Sequence, residues 1–203
     1  MNRTLPCEDL AASPDFGRLS GIADIGIDLR YATADNFTGR DLYSPLDCAW
    51  LHRDAVAALA KAAGWLRGAR PDAGLLVLDA LRPQRVQEQL WASLQGTNLL
   101  EYLADPARGS MHSFGMAVDI TLVDAAGTEY DMGTGFDDMS ERSHPVREEA
   151  LVARGELTRA QVDNRELLRD AMQHGGWQGI NSEWWHFDCG DREWVRAEYV
   201  RIL

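Results

Sequence analysis

Two segments of the sequence carry the residue types that bind and use a catalytic metal ion. His112 precedes Asp119 in the first segment, and Glu183 precedes His186 in the second. Two imidazoles and one carboxylate form a common ligand set for catalytic zinc, which leaves the fourth position to water. A further carboxylate beside the metal can accept the proton of that water. Gly115 lies between His112 and Asp119 and allows the loop to fold back, so both side chains can address one ion.

The second segment needs a particular backbone shape if it is to contribute to the same site. Glu183 and His186 would share one face of a helix, but in a straight strand they would point to opposite faces. The aromatic run 184–187 has strand character. We therefore predict that Glu183 lies at the strand entry or in a local bend, which turns it toward the metal. Asp188 is interpreted as a turn residue or as a residue outside the metal shell.

Short periodic segments supply the elements that must position these side chains. The spacing predicts helices over residues 51–70, 84–94, 158–172 and 193–203, and strands over residues 75–78, 115–123 and 184–187. Helices and strands mix without regular alternation, which favours an α+β domain over a doubly wound sheet. No repeat or linker divides the 203 residues, so we predict a single domain over residues 1–203.

Arg82 lies where the strand that ends at Asp79 gives way to a helix that Pro83 opens. A side chain at such a junction is held by two rigid elements and still faces a cleft. Arg82 is therefore a candidate functional residue, with a structural ion pair as the alternative. Asp79 either orients Arg82 or caps the helix that follows.

Composition and charge exclude several classes of protein. The chain is 45% hydrophobic and 26% charged, which is typical of a soluble globular protein. Its net charge of -12 repels nucleic acids and anionic membranes, so neither is an expected partner. No apolar run could span a membrane, and the first residues lack the apolar region of a secretory signal, so we expect a cytoplasmic protein. Three widely spaced cysteines indicate reduced thiols and no disulfide framework.

Several motifs together resemble those of one enzyme family. They are Ser110-x-His112-x-x-Gly115-x-Ala117-x-Asp119, Glu183-Trp-Trp-His186, Tyr31-Ala-Thr-x-Asp35-Asn36-Phe37-Thr38-Gly39, Asp79-x-x-Arg82-Pro83, and Met132-Gly133 followed by Phe136-Asp137-x-Met139-x-Glu141-Arg142-Ser143-His144. This pattern resembles that of the zinc D-alanyl-D-alanine dipeptidases of the VanX type, and it extends over about residues 31–188. Phe114 departs from it, because some relatives carry a basic residue at that position.

The resemblance implies a fold and a set of roles. The fold would be a mixed α+β domain with a central antiparallel sheet flanked by helices, as in Hedgehog proteins and D,D-peptidases. The resemblance implies one Zn²⁺ per chain, and it assigns the metal ligands as His112, Asp119 and His186. Glu183 would be the general base that then protonates the leaving amine, and Arg82 would stabilise the oxyanion.

Three more residues match family positions that receive the free amino terminus of the substrate. They are Tyr31, Ser110 and Asp137, and a carboxylate is a sensible partner for an ammonium group. Without the resemblance, Tyr31 would be interpreted as a core aromatic residue and Ser110 as a loop hydroxyl. Asp137 or its neighbour Asp138 would be interpreted as an ordinary loop acid.

The reaction that the resemblance implies is hydrolysis of D-Ala-D-Ala, a dipeptide of peptidoglycan metabolism, to two D-alanines. A D,D-carboxypeptidase or endopeptidase acting on peptidoglycan stem peptides is the first alternative. Asp137 and the absence of an export signal argue against that alternative. A binding protein in which zinc serves only structure is the second alternative. The presence of both Glu183 and Arg82 beside the apparent ligands argues against it.

Overall fold

The computed structural model describes residues 3–203 and contains the expected mixture of helices and strands, so the α+β class is confirmed. The strands are β1 (Thr4–Leu5), β2 (Phe16–Arg18), β3 (Ile25–Ile27), β4 (Trp50–His52), β5 (Ala73–Asp79), β6 (Ala117–Asp124), β7 (Trp177–Gly179), β8 (His186–Cys189) and β9 (Arg201–Ile202). The helices are α1 (Arg53–Ala69), α2 (Gln84–Leu94), α3 (Glu148–Ala153), α4 (Arg159–His174) and α5 (Arg192–Glu198). Residues 1 and 2, which the single-domain prediction includes, lie outside the described range.

Five of the described strands form the main sheet, in the order β3-β5-β6-β8-β7. The pairs β5/β6, β6/β8 and β7/β8 are antiparallel, as expected. The predicted central antiparallel sheet is therefore observed, with one parallel pair, β3/β5, at its edge. A parallel pair needs a long crossover connection, and here the connection between the two strands includes α1.

The sheet has one apolar face and one polar face. Helices α1 and α4 pack against each other and against the strands. The side chains of Val118, Ile120 and Leu122 on β6 are fully buried in the same core cluster as residues of both helices. Side chains alternate along a strand, so Asp119 and Thr121 point to the opposite face. The predicted polar orientation of Asp119 is therefore observed.

A β-bulge brings a second acid to that polar face. Val77 of β5 pairs with Ile120 of β6, whereas Asp79 pairs with Asp119, and the register shifts between the two pairs. Two residues advance on β5 while one advances on β6, so Asp79 faces the same side as Asp119 instead of the apolar core. On the other side of β6, Asp119 pairs with His186 of β8. The three strands thus place Asp79, Asp119 and His186 in one row.

Local sequence signals predict most helix boundaries well. Helix α2 has the predicted bounds, and α4 begins one residue after the predicted start with a capping box formed by Thr158 and Gln161. In that box, Thr158 Oγ1 accepts from the Gln161 N–H at 3.2 Å, and the Thr158 N–H donates to the Gln161 side chain at 2.8 Å. No helix within residues 3–203 is both long and apolar enough to cross a membrane.

Two predicted elements near the carboxyl end differ from the structure. The helix expected over 193–203 ends at Glu198, and Ile202 lies in β9, which pairs in parallel with β1 at Leu5. Ile202 is fully buried there, so pairing with a distant strand outweighs the helical spacing. The strand expected over 184–187 begins only at His186, because the chain bends at the two preceding tryptophans.

Candidate metal centre and its cavity

His112 lies on a short 3-10 helix, Met111–Phe114, that leads into β6. Ser110 caps this helix, and its hydroxyl oxygen accepts from the His112 backbone N–H at 3.3 Å. The imidazole Nδ1 of His112 lies 2.7 Å from the carbonyl oxygen of Ala80. A carbonyl can only accept, so Nδ1 carries the proton and Nε2 keeps a free lone pair. This hydrogen bond therefore fixes the tautomer that a metal ligand needs.

Gly115 makes the turn between His112 and β6. Its φ of 65° is left-handed, and a Cβ at this position would approach the backbone nitrogen of His52 to 2.7 Å. Both features require glycine. Phe114, which departs from the family pattern, is fully buried in the apolar core and is not part of the wall of the cavity described below.

The ligand atoms of the three predicted metal ligands form a compact triangle. His112 Nε2 lies 3.3 Å from His186 Nδ1 and 3.5 Å from Asp119 Oδ1, and the last two atoms are 2.9 Å apart. Tetrahedral zinc with bonds of about 2.0 to 2.1 Å separates its ligand atoms by about 3.3 Å. The three side chains are therefore spaced to hold a metal ion, and they form a cluster suited to one.

Asp188 supports the second histidine. It lies two residues after His186 on β8, and its Oδ1 is 3.0 Å from His186 Nε2. Arg192 donates from Nε to the other oxygen of Asp188 at 2.6 Å. Burial raises the pKa of Asp188, but His186 and Arg192 outweigh it and hold the pKa at about 2. Asp188 is thus a strand residue hydrogen bonded to His186 rather than a turn residue.

Glu183 lies beside the triangle, in the irregular segment that precedes β8. The chain bends at Trp184 and Trp185, as the spacing required, and Glu183 Oε2 lies 4.0 Å from His186 Nδ1. Burial is the main cause that raises the pKa of Glu183 to about 7, while His186 opposes the shift. The carboxylate is therefore available for proton exchange near neutral pH.

Arg82 is 6% exposed and is held by acids from two strands. Its Nε and Nη2 donate to one oxygen of Asp79 at 2.9 and 2.6 Å, and Nη2 also donates to Asp119 at 3.3 Å. Nη1 donates to the Gln87 side chain at 3.1 Å. Burial lowers the pKa of Arg82, but the nearby acids outweigh it and raise the pKa well above its usual value. Asp79 therefore orients Arg82, and the cap of α2 is Pro83.

Two of the three residues predicted to receive the substrate amine are hydrogen bonded to each other. Tyr31 donates its hydroxyl hydrogen to Asp137, at 2.9 and 3.1 Å from the two carboxylate oxygens. Burial first, and then Asp119, raise the pKa of Asp137 well above its usual value. Ser110 makes its hydrogen bond to His112 instead. Tyr31 is also a buried core residue, as its interpretation without the resemblance expects.

All eight predicted site residues line one cavity of about 360 Å³. Asp137 lines it, whereas the adjacent Asp138 is not part of the described wall. Sequence reasoning missed Arg108, Arg192 and Arg196 on the same wall. Only the spacing of Arg192 and Arg196, four residues apart on a helix, was a signal for two of them, because such residues share one face.

Two histidines and an aspartate around one point, with a glutamate beside them, are typical of metal-dependent hydrolases. Comparison with known proteins indicates the same class of enzyme. A family model described as D-ala-D-ala dipeptidase, Peptidase_M15, matches residues 19–202. The chain belongs to this family, which confirms the resemblance seen in the sequence.

Several curated relatives are similar over most of their length. The D-alanyl-D-alanine dipeptidase of Escherichia coli (strain K12) is 42% identical, over 81% of this chain and 79% of the relative. The D-alanyl-D-alanine dipeptidase of Enterococcus faecalis is 33% identical, over 81% and 85% of the two chains. Among solved structures, an LD-carboxypeptidase is similar with a TM-score of 0.48 and 14% identity, covering 94% of this chain and 80% of that chain.

Proposed function

We propose that this protein is a zinc dipeptidase that hydrolyses D-Ala-D-Ala to two D-alanine molecules. The observation that carries the proposal is the triangle of His112 Nε2, Asp119 Oδ1 and His186 Nδ1, with sides of 2.9 to 3.5 Å. The names of the curated relatives support the choice of substrate. One zinc ion per chain is part of the proposal.

When bound, zinc supplies Lewis-acid activation of water and of the scissile carbonyl group. Glu183 accepts a proton from the attacking water and returns it to the leaving amine. Two features support this role for Glu183. Its carboxylate lies 4.0 Å from a ligand atom without being part of the triangle, and burial keeps its pKa at about 7. A group with such a pKa can both accept and donate a proton near neutral pH.

Arg82 stabilises the negative charge that develops on the carbonyl oxygen. A guanidinium stays charged at any working pH, so it can serve in a buried site. Asp79 and Gln87 fix its orientation before the substrate arrives. A preorganised charge of this kind needs no rearrangement during the reaction.

Asp137 receives the free amino group of the substrate. The carboxylate is buried, and the negative charge of Asp119 acts on it. A cationic partner such as an ammonium group therefore stabilises its charged form. Tyr31 orients it through its hydroxyl group, and Ser110 lines the same cavity. Asp137 and the three proposed metal ligands line the same cavity, so one small substrate can contact both.

We also propose a cytoplasmic location with a small dipeptide as the main partner. The three cysteines are free and buried, which fits a reducing compartment. The net charge of -12 disfavours nucleic acids and anionic membranes as partners.

The test is release of free D-alanine from D-Ala-D-Ala, measured beside L-Ala-L-Ala and a pentapeptide stem. The assay is run with and without a chelator, and with zinc restored. We expect chelator-sensitive cleavage of the D,D-dipeptide alone. Cleavage of the stem would indicate a carboxypeptidase instead. A folded, zinc-loaded protein that cleaves none of the three would favour a binding protein.

A further inference from the structure

Three arginines form a cationic group on the cavity wall, and the roles proposed above do not use them. They are Arg108, Arg192 and Arg196. Glu193 Oε1 accepts from Arg108 Nη2 at 2.8 Å and from Arg196 Nη1 at 3.1 Å. Asp188 accepts from Arg192. Glu193 and Asp188 thus hold the three guanidinium groups on one part of the cavity wall.

Two members of this arginine group contact residues that lie next to the histidines of the proposed metal centre. Arg196 donates from Nε to the carbonyl oxygen of Gly109 at 3.2 Å, just before the segment that carries His112. Arg192 bonds to Asp188, which bonds to the ligand His186. Each of these arginines is therefore close in the structure to one of the two metal-binding histidines.

The group is also arranged to accept another anion. Burial first, and then the charges of Arg108 and Arg192, lower the pKa of Arg196, while Glu193 and Asp188 oppose the shift. An additional carboxylate would relieve this repulsion. The side chains of Arg108 and Arg192 are 66% and 50% exposed, so each can turn toward a ligand in the cavity.

A dipeptide has a carboxylate that needs such a partner. Its α-carboxylate follows the scissile bond after a single residue, and successive Cα atoms are about 3.8 Å apart. The carboxylate must therefore lie close to the metal centre. Arg82, the other arginine on the wall, is already bonded to Asp79, Gln87 and Asp119.

We propose that Arg108, Arg192 and Arg196 bind the free α-carboxylate of the substrate and so restrict the enzyme to peptides that end one residue after the scissile bond. This inference rests on the proposed dipeptidase function. It adds the second end of the substrate to the site, opposite in charge to the end that Asp137 receives. A carboxylate and a guanidinium match in geometry as well as in charge.

The experiment compares binding of D-Ala-D-Ala with binding of its C-terminal amide by calorimetry. The zinc-loaded Glu183→Gln variant is the background, because it keeps the ligands and does not turn over the substrate. We expect the acid to bind at least about 10-fold more tightly than the amide. Adding Arg192→Gln or Arg108→Gln should reduce this preference by about 10-fold and leave binding of the amide unchanged.

Two further variants serve as controls. Arg85→Gln removes the same charge from an arginine that pairs with Glu8 at 2.7 Å and does not line the cavity, so it should keep the full preference. Arg192→Lys should keep more of the preference than Arg192→Gln, because lysine retains the positive charge. It should not keep all of it, because lysine lacks the bidentate guanidinium geometry. Arg108 and Arg192 are used in place of Arg196 because they are more exposed.

Equal binding of acid and amide, equal losses for both in the arginine variants, or no binding of either ligand would overturn the carboxylate subsite. Failure of the dipeptidase function is recognised separately, from the D-alanine release assay on the unsubstituted enzyme. If that assay shows cleavage of a different dipeptide, the same comparison is made with that dipeptide and its amide. That outcome would contradict D-Ala-D-Ala as the substrate, and the comparison would still test the carboxylate subsite.

Discussion

Arg82 and Arg165 are both buried arginines, but their guanidinium groups donate hydrogen bonds to different kinds of acceptor. Arg165 is fully buried on α4, and two of its bonds go to backbone carbonyls. Its Nε donates to Met132 at 2.7 Å, and its Nη2 donates to Arg142 at 3.0 Å. Nη1 donates to Glu148 at 3.3 Å. Burial is the main cause that lowers the pKa of Arg165.

Arg82 has carboxylates where Arg165 has carbonyls, and it lines the cavity. The acids raise its pKa in spite of its burial. Arg165 holds the two ends of the segment 132–142, which carries Asp137, and is not part of the described cavity wall. Burial alone therefore does not distinguish a structural arginine from a functional one. The partners and access to the cavity do.

The largest expected effect concerns Glu183, the proposed general base, which lines the same cavity as Arg82. Glu183→Gln should lower kcat by about 10⁴-fold, the upper range for a general base, and should leave zinc bound. Steady-state kinetics and metal analysis of the purified variant measure both. Glu101→Gln, which changes an exposed acid on the same wall, should keep the activity. Substantial residual turnover in Glu183→Gln would exclude the proposed base.

The next effect is on stability and concerns the structural arginine. Arg165→Met should lower the free energy of unfolding by about 3 to 5 kcal/mol, because buried carbonyls and Glu148 lose their donor. Urea denaturation measures it. Arg159→Gln, on the same helix, removes an exposed pair with Glu149 at 2.8 Å and should cause no measurable change. A stable Arg165→Met variant with strongly reduced kcat would reverse the assignment of the two arginines.

Arg82, which we propose to act on the substrate, should show the opposite pattern, a loss of activity in a folded protein. Arg82→Gln should lower kcat by about 10²- to 10³-fold in the folded, zinc-loaded enzyme, because the charge aimed at the carbonyl oxygen is lost. Arg82→Lys keeps a charge but loses the bidentate guanidinium geometry. Its kcat should therefore lie between those of the unsubstituted enzyme and of Arg82→Gln. Zinc content and circular dichroism serve as controls. If both variants lost only stability, Arg82 would be a structural ion pair.

The smallest of these effects concerns the residue behind His186. Asp188→Asn should weaken zinc binding by about 10- to 100-fold, because the carboxylate that orients His186 and increases its basicity is lost. Competition with a chelator measures the affinity. Excess zinc should restore most of the activity of this variant, which a damaged fold would not allow. Unchanged zinc affinity would show that Asp188 serves only Arg192 and the strand.

Local signals explain which sequence predictions succeeded. The bounds of α2 and the capping box of α4 follow from nearby residues, such as Pro83 and Thr158. The bend between Glu183 and His186 could be predicted because these two side chains would point to opposite faces of a straight strand. The helix over 193–203 was wrong at its end because Ile202 pairs with the distant Leu5. No local pattern contains that information.

The sequence by itself determined the chemistry of the ligands, the mixed α+β class and most of the helices, since side-chain type and periodicity are properties of short segments. Tertiary structure decided the bulge at Asp79 and the pairing of Asp119 with His186. It also brought Arg108 and Arg196 to the same acceptor, the carboxylate of Glu193. These features depend on strand register and on the packing of segments far apart in the chain. The energy that fixes them comes from burying the apolar face of the sheet, so only the folded molecule specifies them.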